Sequence, residues 1–293
     1  MKKIIISVLS FLFLWGCATV QPTHNKRNTG HSEADQILQS QFKNHPQYAK
    51  YLKFINAARK VPASDLPLAD GYIGEGQVWQ TPYYLKESGS TGPTVLIIGG
   101  THGYEIAGWQ AAQELLKFKP DVGRLYVIPR INLRGVELRH RFVPGEKDLN
   151  RCYPGKVKGG NTERLAFDVF EFIKNQGVKI VFDLHESWDY HLVNEARLGQ
   201  SVILYPDDTA AWASLMATET INETISEPLE KISFLQGPIK GSTAWAVGKI
   251  LGIQGYTLET AIPLPLKKRI DYQVQLVRLI LMENGINIVD KRN

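Results

Sequence analysis

From residue 94 to residue 284, short apolar runs alternate with stretches of helical spacing, and this alternation most constrains the fold. It predicts an α/β fold of three α/β/α layers around a mixed, mostly parallel sheet. The predicted strands are Thr94–Ile98, Arg124–Ile128, Lys179–Leu184, Ser201–Tyr205 and Tyr256–Leu258. The predicted helices are Ala107–Phe118, Thr162–Asn175, Ala210–Ile225, Thr243–Leu251 and Lys267–Asn284, preceded by one or two short helices between Ile37 and Ala58.

The first 35 residues differ in composition from the rest of the chain. Lys2 and Lys3 precede an apolar run that is typical of an export signal and too short to span a bilayer. The run ends at Gly16-Cys17, which resembles a bacterial lipoprotein signal whose cysteine receives the lipid. We therefore expect a signal peptide over 1–16, a lipid anchor at Cys17, a flexible tether over 17–35 and a single folded domain over 36–293.

Ala18, directly after the expected lipidation site, resembles the residue that sorts Gram-negative lipoproteins to the outer membrane. We expect a cell-envelope protein that is lipid-anchored there and faces the periplasm. The net charge of +5 includes two lysines of the expected signal, and no dense basic run contains interleaved aromatic residues. The charge pattern therefore gives no reason to expect a nucleic-acid partner.

Three side chains that suit a metal ion follow predicted strands. His102 and Glu105 come after Gly99-Gly100-Thr101, and residues three apart on a helical turn share a face. His185 directly follows the predicted strand Lys179–Leu184. Ligands gather at the carboxyl ends of parallel strands, so His185 can lie near the other two side chains. Two histidines and one glutamate form a zinc set that leaves one coordination position for water. We expect one Zn²⁺ per chain, although His102 and Glu105 alone also fit a helix start with a capping glutamate.

Asp183 precedes His185 by two residues in the same predicted strand. Residues two apart in a strand point to the same side, so Asp183 can orient His185 or a neighbouring ligand.

Five segments together resemble the zinc carboxypeptidase superfamily, which includes the succinylglutamate desuccinylase/aspartoacylase branch. Their order and spacing agree from about residue 94 to residue 262. The segments are Gly99–Glu105, Asn132–Gly135 in a drifted form, Asp148–Gly155, Asp183–Glu186 and Thr257–Thr260. The resemblance implies a zinc carboxypeptidase-like fold and a catalytic role for the domain.

The resemblance also implies a role for each matching residue. The three metal ligands named above would hold zinc, and Glu259 would act as the general base. Asn150 and Arg151 would bind a substrate carboxylate, which suits the fork of an arginine. Arg141 would polarise the scissile carbonyl. The rivals for this last role are Arg134 and Arg139.

The expected function is a zinc-dependent hydrolase of amide or peptide bonds next to a free carboxylate, acting on peptidoglycan stem peptides. One alternative is an N-acyl amino acid deacylase of the desuccinylase/aspartoacylase type. In aspartoacylase-like enzymes a sizeable β-domain follows the base-bearing segment, whereas the residues after Glu259 mostly predict one helix. The single helix predicted after Glu259 favours an architecture of the catalytic core alone, which resembles that of bacterial murein-peptide amidases. A second alternative is a non-catalytic module that binds muropeptides.

Overall fold

The computed structural model of this chain describes residues 27–290, whose strands form one eight-stranded sheet and one separate pair. The strands are β1 (Gly71–Ile73), β2 (Thr81–Glu87), β3 (Thr94–Gly99), β4 (Phe118–Pro120), β5 (Arg124–Ile128), β6 (Val178–Ser187), β7 (Ser201–Leu204), β8 (Ser233–Gln236), β9 (Gln254–Ala261) and β10 (Ile288–Asp290). The large sheet has the order β1-β2-β5-β3-β6-β9-β7-β8, and β4 pairs with β10.

The centre of the large sheet is parallel, since β5, β3, β6 and β9 pair in that order in parallel. The pairs β2 with β5 and β7 with β9 are antiparallel. All six residues of β3 are buried, as expected for a central strand that is covered on both faces. The predicted mixed, mostly parallel sheet is confirmed.

Helices cover both faces of this sheet. They are α1 (Arg27–Phe42), α2 (Tyr48–Arg59), α3 (Ile106–Leu115), α4 (Leu133–Leu138), α5 (Asn161–Asn175), α6 (Asp208–Asn222), α7 (Thr243–Ala246) and α8 (Leu266–Glu283). One apolar core joins α3, α6 and α8 to the sheet, and a second joins α5 and α7 to it. A third cluster packs α2 against α3 and α4. The predicted three-layer α/β/α arrangement is therefore confirmed.

Strand register brings the chemically useful residues to one edge of the sheet. His185 and Glu259 are direct partners in the β6–β9 pairing, and Gly99 at the end of β3 pairs with Leu184. The chain turns sharply after β3 at Gly100, whose φ of +74° is disfavoured for residues with a side chain. This turn carries the chain from β3 to His102 beside the end of β6.

Several element boundaries differ from the sequence expectation. The helix predicted over Ala107–Phe118 ends at Leu115, because Phe118–Pro120 forms a strand that pairs with β10. The helix predicted over Thr243–Leu251 keeps α-helical bonding only to Ala246 and continues as a wider π-turn. Strands β1, β2 and β8, in the outer parts of the sheet, were not predicted, since their partly exposed residues lack a continuous apolar run.

The N-terminal expectations fall largely outside the described residues. The predicted signal peptide over 1–16 and the lipid anchor at Cys17 lie there entirely. Helix α1 begins at Arg27, inside the range 17–35 predicted as a tether. Asp35 belongs to the folded part, because its carboxylate accepts two hydrogen bonds from Arg59 at 2.7 and 2.9 Å. Between residues 27 and 290, no helix combines the length and the apolar content needed to cross a bilayer.

Candidate metal centre and cleft

His102, Glu105 and His185 converge at the edge of the sheet, and each is no more than 2 % exposed. His102 Nδ1 lies 2.7 Å from Glu105 Oε1, and His185 Nδ1 lies 2.9 Å from Glu105 Oε2. The two Nδ1 atoms are 3.2 Å apart. One donor atom from each residue lies within 4.8 Å of the other two, so the three side chains can share one metal ion.

The second nitrogen of each imidazole faces a carboxylate. Asp148 Oδ1 lies 3.0 Å from His102 Nε2, and Asp183 Oδ1 lies 3.1 Å from His185 Nε2. The second contact is electrostatic, because His185 Nε2 has no well-directed hydrogen bond among the described residues. A carboxylate at Nε2 favours the proton on that nitrogen, which leaves the Nδ1 lone pair for an ion. The donor set therefore fits a zinc ion.

The electrostatics of the cluster also favour a cation. Burial on its own would raise the pKa of Glu105, but the contacts with His102 and His185 hold that pKa well below its ordinary value. Burial opposes charge on His185, yet Asp183 and Glu105 raise its pKa well above the ordinary value. Carboxylates that favour the protonated form of the buried His185 imidazole would equally stabilise a metal cation bound beside it.

Glu259 lies beside this cluster and forms no ion pair among the described residues. It is the strand partner of His185, is 8 % exposed and lines the same cavity. Its Oε2 atom has no hydrogen-bond partner among the described residues. Burial raises its pKa to about 7, so the side chain is suited to accept and release a proton near neutral pH.

Of the three arginines considered for the carbonyl, Arg141 is the one beside the cluster. Its Nε donates to Asp148 Oδ2 at 3.0 Å, and its Nη1 lies 3.6 Å from Glu105 Oε1. Arg139 turns into the protein, where it donates to backbone carbonyls and stacks on Trp109.

The third arginine, Arg134, forms an ion pair with Glu146. Glu146 also accepts hydrogen bonds from Asn161 and Thr162 at the start of α5. Arg134 therefore stabilises the start of this helix, and it does not line the cavity that contains Arg141.

Asn150 and Arg151 line the cavity from a short 3₁₀ turn, Leu149–Arg151. Asp148 caps this turn by accepting from the Asn150 N–H at 2.9 Å. Asn150 is 6 % exposed, and its Oδ1 has no partner within residues 27–290. Arg151 is exposed and donates to the Asn150 carbonyl, and no described carboxylate is within ion-pair distance of it. The pair is therefore available to a ligand.

The cavity around these groups has a volume of about 760 Å³, which is in the usual range for ligand sites. Its walls also include residues to which no sequence motif assigns a role, namely Tyr48, Tyr51, Trp188, Arg197, Leu235 and Ile239. Tyr51 also acts on the cleft through the backbone, since its hydroxyl accepts from the Arg141 N–H at 2.7 Å. No sequence pattern in α2 indicates contact with the distant residues of this cavity, so the contact between Tyr51 and Arg141 could be found only in the folded structure.

The central part of the chain is similar in sequence to known proteins. Residues 91–221 match the family model described as "Succinylglutamate desuccinylase/Aspartoacylase catalytic domain". This range contains the three metal-cluster residues, Arg141, Asn150 and Arg151, whereas Glu259 lies beyond it. The chain is 36 % identical over 124 residues to N-alpha-acetyl-L-2,4-diaminobutyric acid deacetylase of Halomonas elongata, covering 41 % of this chain and 35 % of the relative.

Solved structures share the fold at low identity. Csd4 of Helicobacter pylori, described as a D,L-carboxypeptidase, matches with a TM-score of 0.62 and 19 % identity, covering 68 % of this chain and 52 % of that one. A succinylglutamate desuccinylase from Silicibacter matches with a TM-score of 0.55 and 21 % identity, covering 71 % and 61 %.

The chain thus spans about a third of the curated relative and between half and two thirds of these solved chains. The matched proteins are hydrolases, namely a deacetylase, a carboxypeptidase and a desuccinylase. Residues 91–221 of this chain therefore resemble the succinylglutamate desuccinylase/aspartoacylase catalytic domain, and the chain shares its fold with the solved carboxypeptidase and desuccinylase structures.

Proposed function

We propose that the protein is a zinc-dependent hydrolase that cleaves an amide or peptide bond next to a free carboxylate. The main support is the relationship between Glu259 and the metal cluster. A buried carboxylate without a partner, with a pKa raised to about 7, is the strand neighbour of a candidate ligand, His185. Such a carboxylate is costly to bury and suits a group that takes up a proton during the reaction.

His102, Glu105 and His185 would hold the ion. Zinc, when bound, makes water more acidic and polarises a carbonyl group. The Glu259 carboxylate accepts a proton from the attacking water and returns it to the leaving amine. The guanidinium of Arg141 donates to the carbonyl oxygen as negative charge develops on it, from a position beside Glu105.

Asn150 and Arg151 hold the substrate carboxylate next to the cleaved bond. An arginine guanidinium can offer two parallel N–H groups to a carboxylate, and no described carboxylate lies within ion-pair distance of Arg151. The buried Asn150 side chain adds a polar contact at the same wall of the cavity. Fixing this end of the substrate aligns the neighbouring amide with Glu259 and the metal cluster.

For the substrate we propose a peptidoglycan stem peptide. The cavity of about 760 Å³ has room for a short peptide, and the fold is shared with Csd4, which is described as a D,L-carboxypeptidase and was solved with mDAP. The proposal includes a location in the cell envelope, with a lipid anchor at Cys17 at the outer membrane and the enzyme facing the periplasm. Cys17 lies outside the described residues, and its sequence context is the support for the anchor.

A second substrate class, N-acyl amino acids, has support of its own. The relative that matches the central segment at 36 % identity is a deacetylase of an N-acetylated amino acid. The same metal cluster, Glu259 and Arg151 would serve this reaction, because the bond is again an amide close to a carboxylate.

The test is digestion of purified muropeptides and N-acyl amino acids side by side by the zinc-loaded protein, read by mass spectrometry. We expect cleavage next to a free carboxylate, loss of cleavage with a chelator, and about one zinc per chain in metal analysis. A Glu259→Gln variant should bind zinc normally and lose most of the activity. Full activity in this variant would contradict the mechanism, and tight muropeptide binding without any cleavage would indicate a non-catalytic binding module.

A further inference from the structure

A second arginine without an acidic partner, Arg197, lines the cleft, and an aromatic ring fixes its position. Its guanidinium carbon lies 5.1 Å from the ring centroid of Trp188. A guanidinium over the face of an aromatic ring is held there by the cation–π attraction, and its N–H groups can still bind a planar anion. Within residues 27–290, no carboxylate is within ion-pair distance of Arg197, and both side chains line the cavity that contains Glu259.

The ring under Arg197 is itself anchored next to the metal cluster. Trp188 Nε1 donates to the Tyr104 hydroxyl at 2.9 Å, and Tyr104 directly precedes Glu105. Tyr51 stacks on Trp188 with 6.3 Å between ring centroids, and Phe54 lies 5.3 Å from it. The position of Arg197 is therefore coupled to the same structure that places the metal ligand.

The loop between β6 and β7, which carries Arg197, is held by its own hydrogen bonds. The His191 N–H donates to the Gly199 carbonyl at 2.8 Å, and the Gly199 N–H donates to the Asp189 carbonyl at 3.1 Å. The Arg197 N–H donates to the Asn194 carbonyl at 2.8 Å. A loop that is ordered before binding gives up little conformational entropy when a ligand arrives.

Two of the arginines that line the cavity have no carboxylate within ion-pair distance in the described part of the chain. Glu105 contacts two imidazoles, and the Glu186 carboxylate contacts Arg269. Arg141 pairs with Asp148. Arg151 and Arg197 lie in separate segments and form no ion pair in the described part of the chain, although Arg151 is near enough to Asp148 to lower the pKa of that carboxylate. A substrate with a single carboxylate would compensate only one of them.

We propose that Arg197, held over the ring of Trp188, recognises a second carboxylate of the substrate. The preferred substrate is then an amide or short peptide with two acidic groups, one at Arg151 beside the cleaved bond and one at Arg197. This inference rests on the proposed function, since it identifies Arg151 as the site of the first carboxylate. It makes Arg197 a specificity-determining residue that does not take part in proton transfer.

The test measures binding in the absence of turnover, with the zinc-loaded Glu259→Gln protein and isothermal titration calorimetry. The ligands are N-acetylated amino acids and dipeptides of both configurations, in matched pairs of glutamate against glutamine and aspartate against asparagine. For at least one pair, the diacid should bind roughly 10- to 100-fold more tightly than its carboxamide, which is typical of hydrogen bonds to a charged group. Adding Arg197→Gln should bring this ratio close to one, and adding Arg197→Lys should give an intermediate ratio.

Arg164→Gln is the matched control, because Arg164 stacks on Trp79 at 5.4 Å and does not line this cavity. It should leave the ratio unchanged. Circular dichroism and thermal melting establish that each variant is folded.

Two results would overturn the role of Arg197. One is a Glu259→Gln protein that binds no diacid more tightly than its carboxamide. The other is an Arg197→Gln change that weakens both members of a pair equally. Hydrolysis by the wild-type protein is measured separately, so that a diacid preference without hydrolysis would refute the proposed function and leave the role of Arg197 intact.

Discussion

The carboxylate of Asp183 lies two residues before His185 on strand β6, and its Oδ1 atom is 3.1 Å from Nε2 of that imidazole. Asp183 is fully buried and also accepts from the hydroxyls of Thr101 and Thr243, at 2.9 and 2.8 Å. These two hydrogen bonds fix the carboxylate, so it can hold His185 with Nδ1 directed at Glu105.

We expect Asp183→Asn to weaken zinc binding about 10- to 100-fold, the usual effect of removing a partner that orients a metal ligand. The amide carries no charge to favour the proton at His185 Nε2, so Nδ1 becomes a poorer donor. Competition with a chromophoric chelator measures the affinity. Asp168→Asn is the control, since Asp168 accepts from Trp79 Nε1 away from the cleft. Equal zinc affinity in the Asp183 variant and the wild type would refute this positioning role.

Arg151→Met tests the recognition of the first carboxylate. Because Arg151 has no acidic partner in the described part of the chain, its removal leaves no buried charge behind. We expect KM to rise roughly 10- to 100-fold, in line with the loss of hydrogen bonds to a charged group. Steady-state kinetics should show the same loss for the wild type when the substrate carboxylate is amidated, with no further loss when both changes are combined. Independent, additive losses would show that Arg151 binds another part of the substrate.

Tyr51→Phe tests whether helix α2 positions the cleft. The variant removes the hydroxyl that accepts from the Arg141 N–H, and an unmet buried donor costs about 1–3 kcal/mol. We expect Arg141 to lose its fixed position and kcat/KM to fall about tenfold, while zinc affinity stays at the wild-type value.

The control for this change is Tyr84→Phe, whose hydroxyl donates to the Pro67 carbonyl far along the chain from Arg141. It should leave kcat/KM at the wild-type value. If Tyr51→Phe also kept full kcat/KM, the hydrogen bond to Arg141 would have no catalytic consequence.

The alternation of strands and helices was sufficient to predict that His102 and His185 lie close together. His102 and His185 follow buried apolar runs, and parallel pairing necessarily brings the ends of such runs together. It could not separate Arg141 from Arg139, because the two lie in one short segment of similar composition. The backbone separates them, since Arg139 has a φ of +58° and its side chain turns into the protein.

The far walls of the cleft could not be predicted for a related reason. Tyr51, Trp188 and Arg197 come from different parts of the chain, and their contacts depend on how α2 and the loop after β6 pack together. Hydrophobic periodicity reports which face of an element is buried, but it does not report which distant element covers that face.

Beside the metal cluster, the fully buried Glu186 side chain contacts Arg269 of helix α8. Glu186 also accepts from the Ala107 N–H at the start of α3, at 2.8 Å. We expect Arg269→Met to destabilise the fold by roughly 3–5 kcal/mol, because it leaves a buried charge without its partner. Urea denaturation measures this loss. Lys267→Met, which breaks an exposed pair with Asp271 on the same helix, should cost less than about 1 kcal/mol.

The loss in Arg269→Met should depend on pH, with a sign fixed by the direction of the Glu186 pKa shift. Burial already raises this pKa in the native protein despite the opposing effect of Arg269, and removing the arginine raises it further. A carboxyl whose folded pKa exceeds its unfolded value stabilises the fold when protonated and loses that contribution as the pH rises through the folded pKa. The difference in unfolding free energy between Arg269→Met and the wild type should therefore become smaller as the pH is lowered from 7.5 to 5.

A difference that stays constant over this range would mean that the variant loses packing of the arginine stem and not the charge pair. Glu186→Gln combined with Arg269→Met should then remain as unstable as Arg269→Met alone, whereas the charge explanation requires partial recovery.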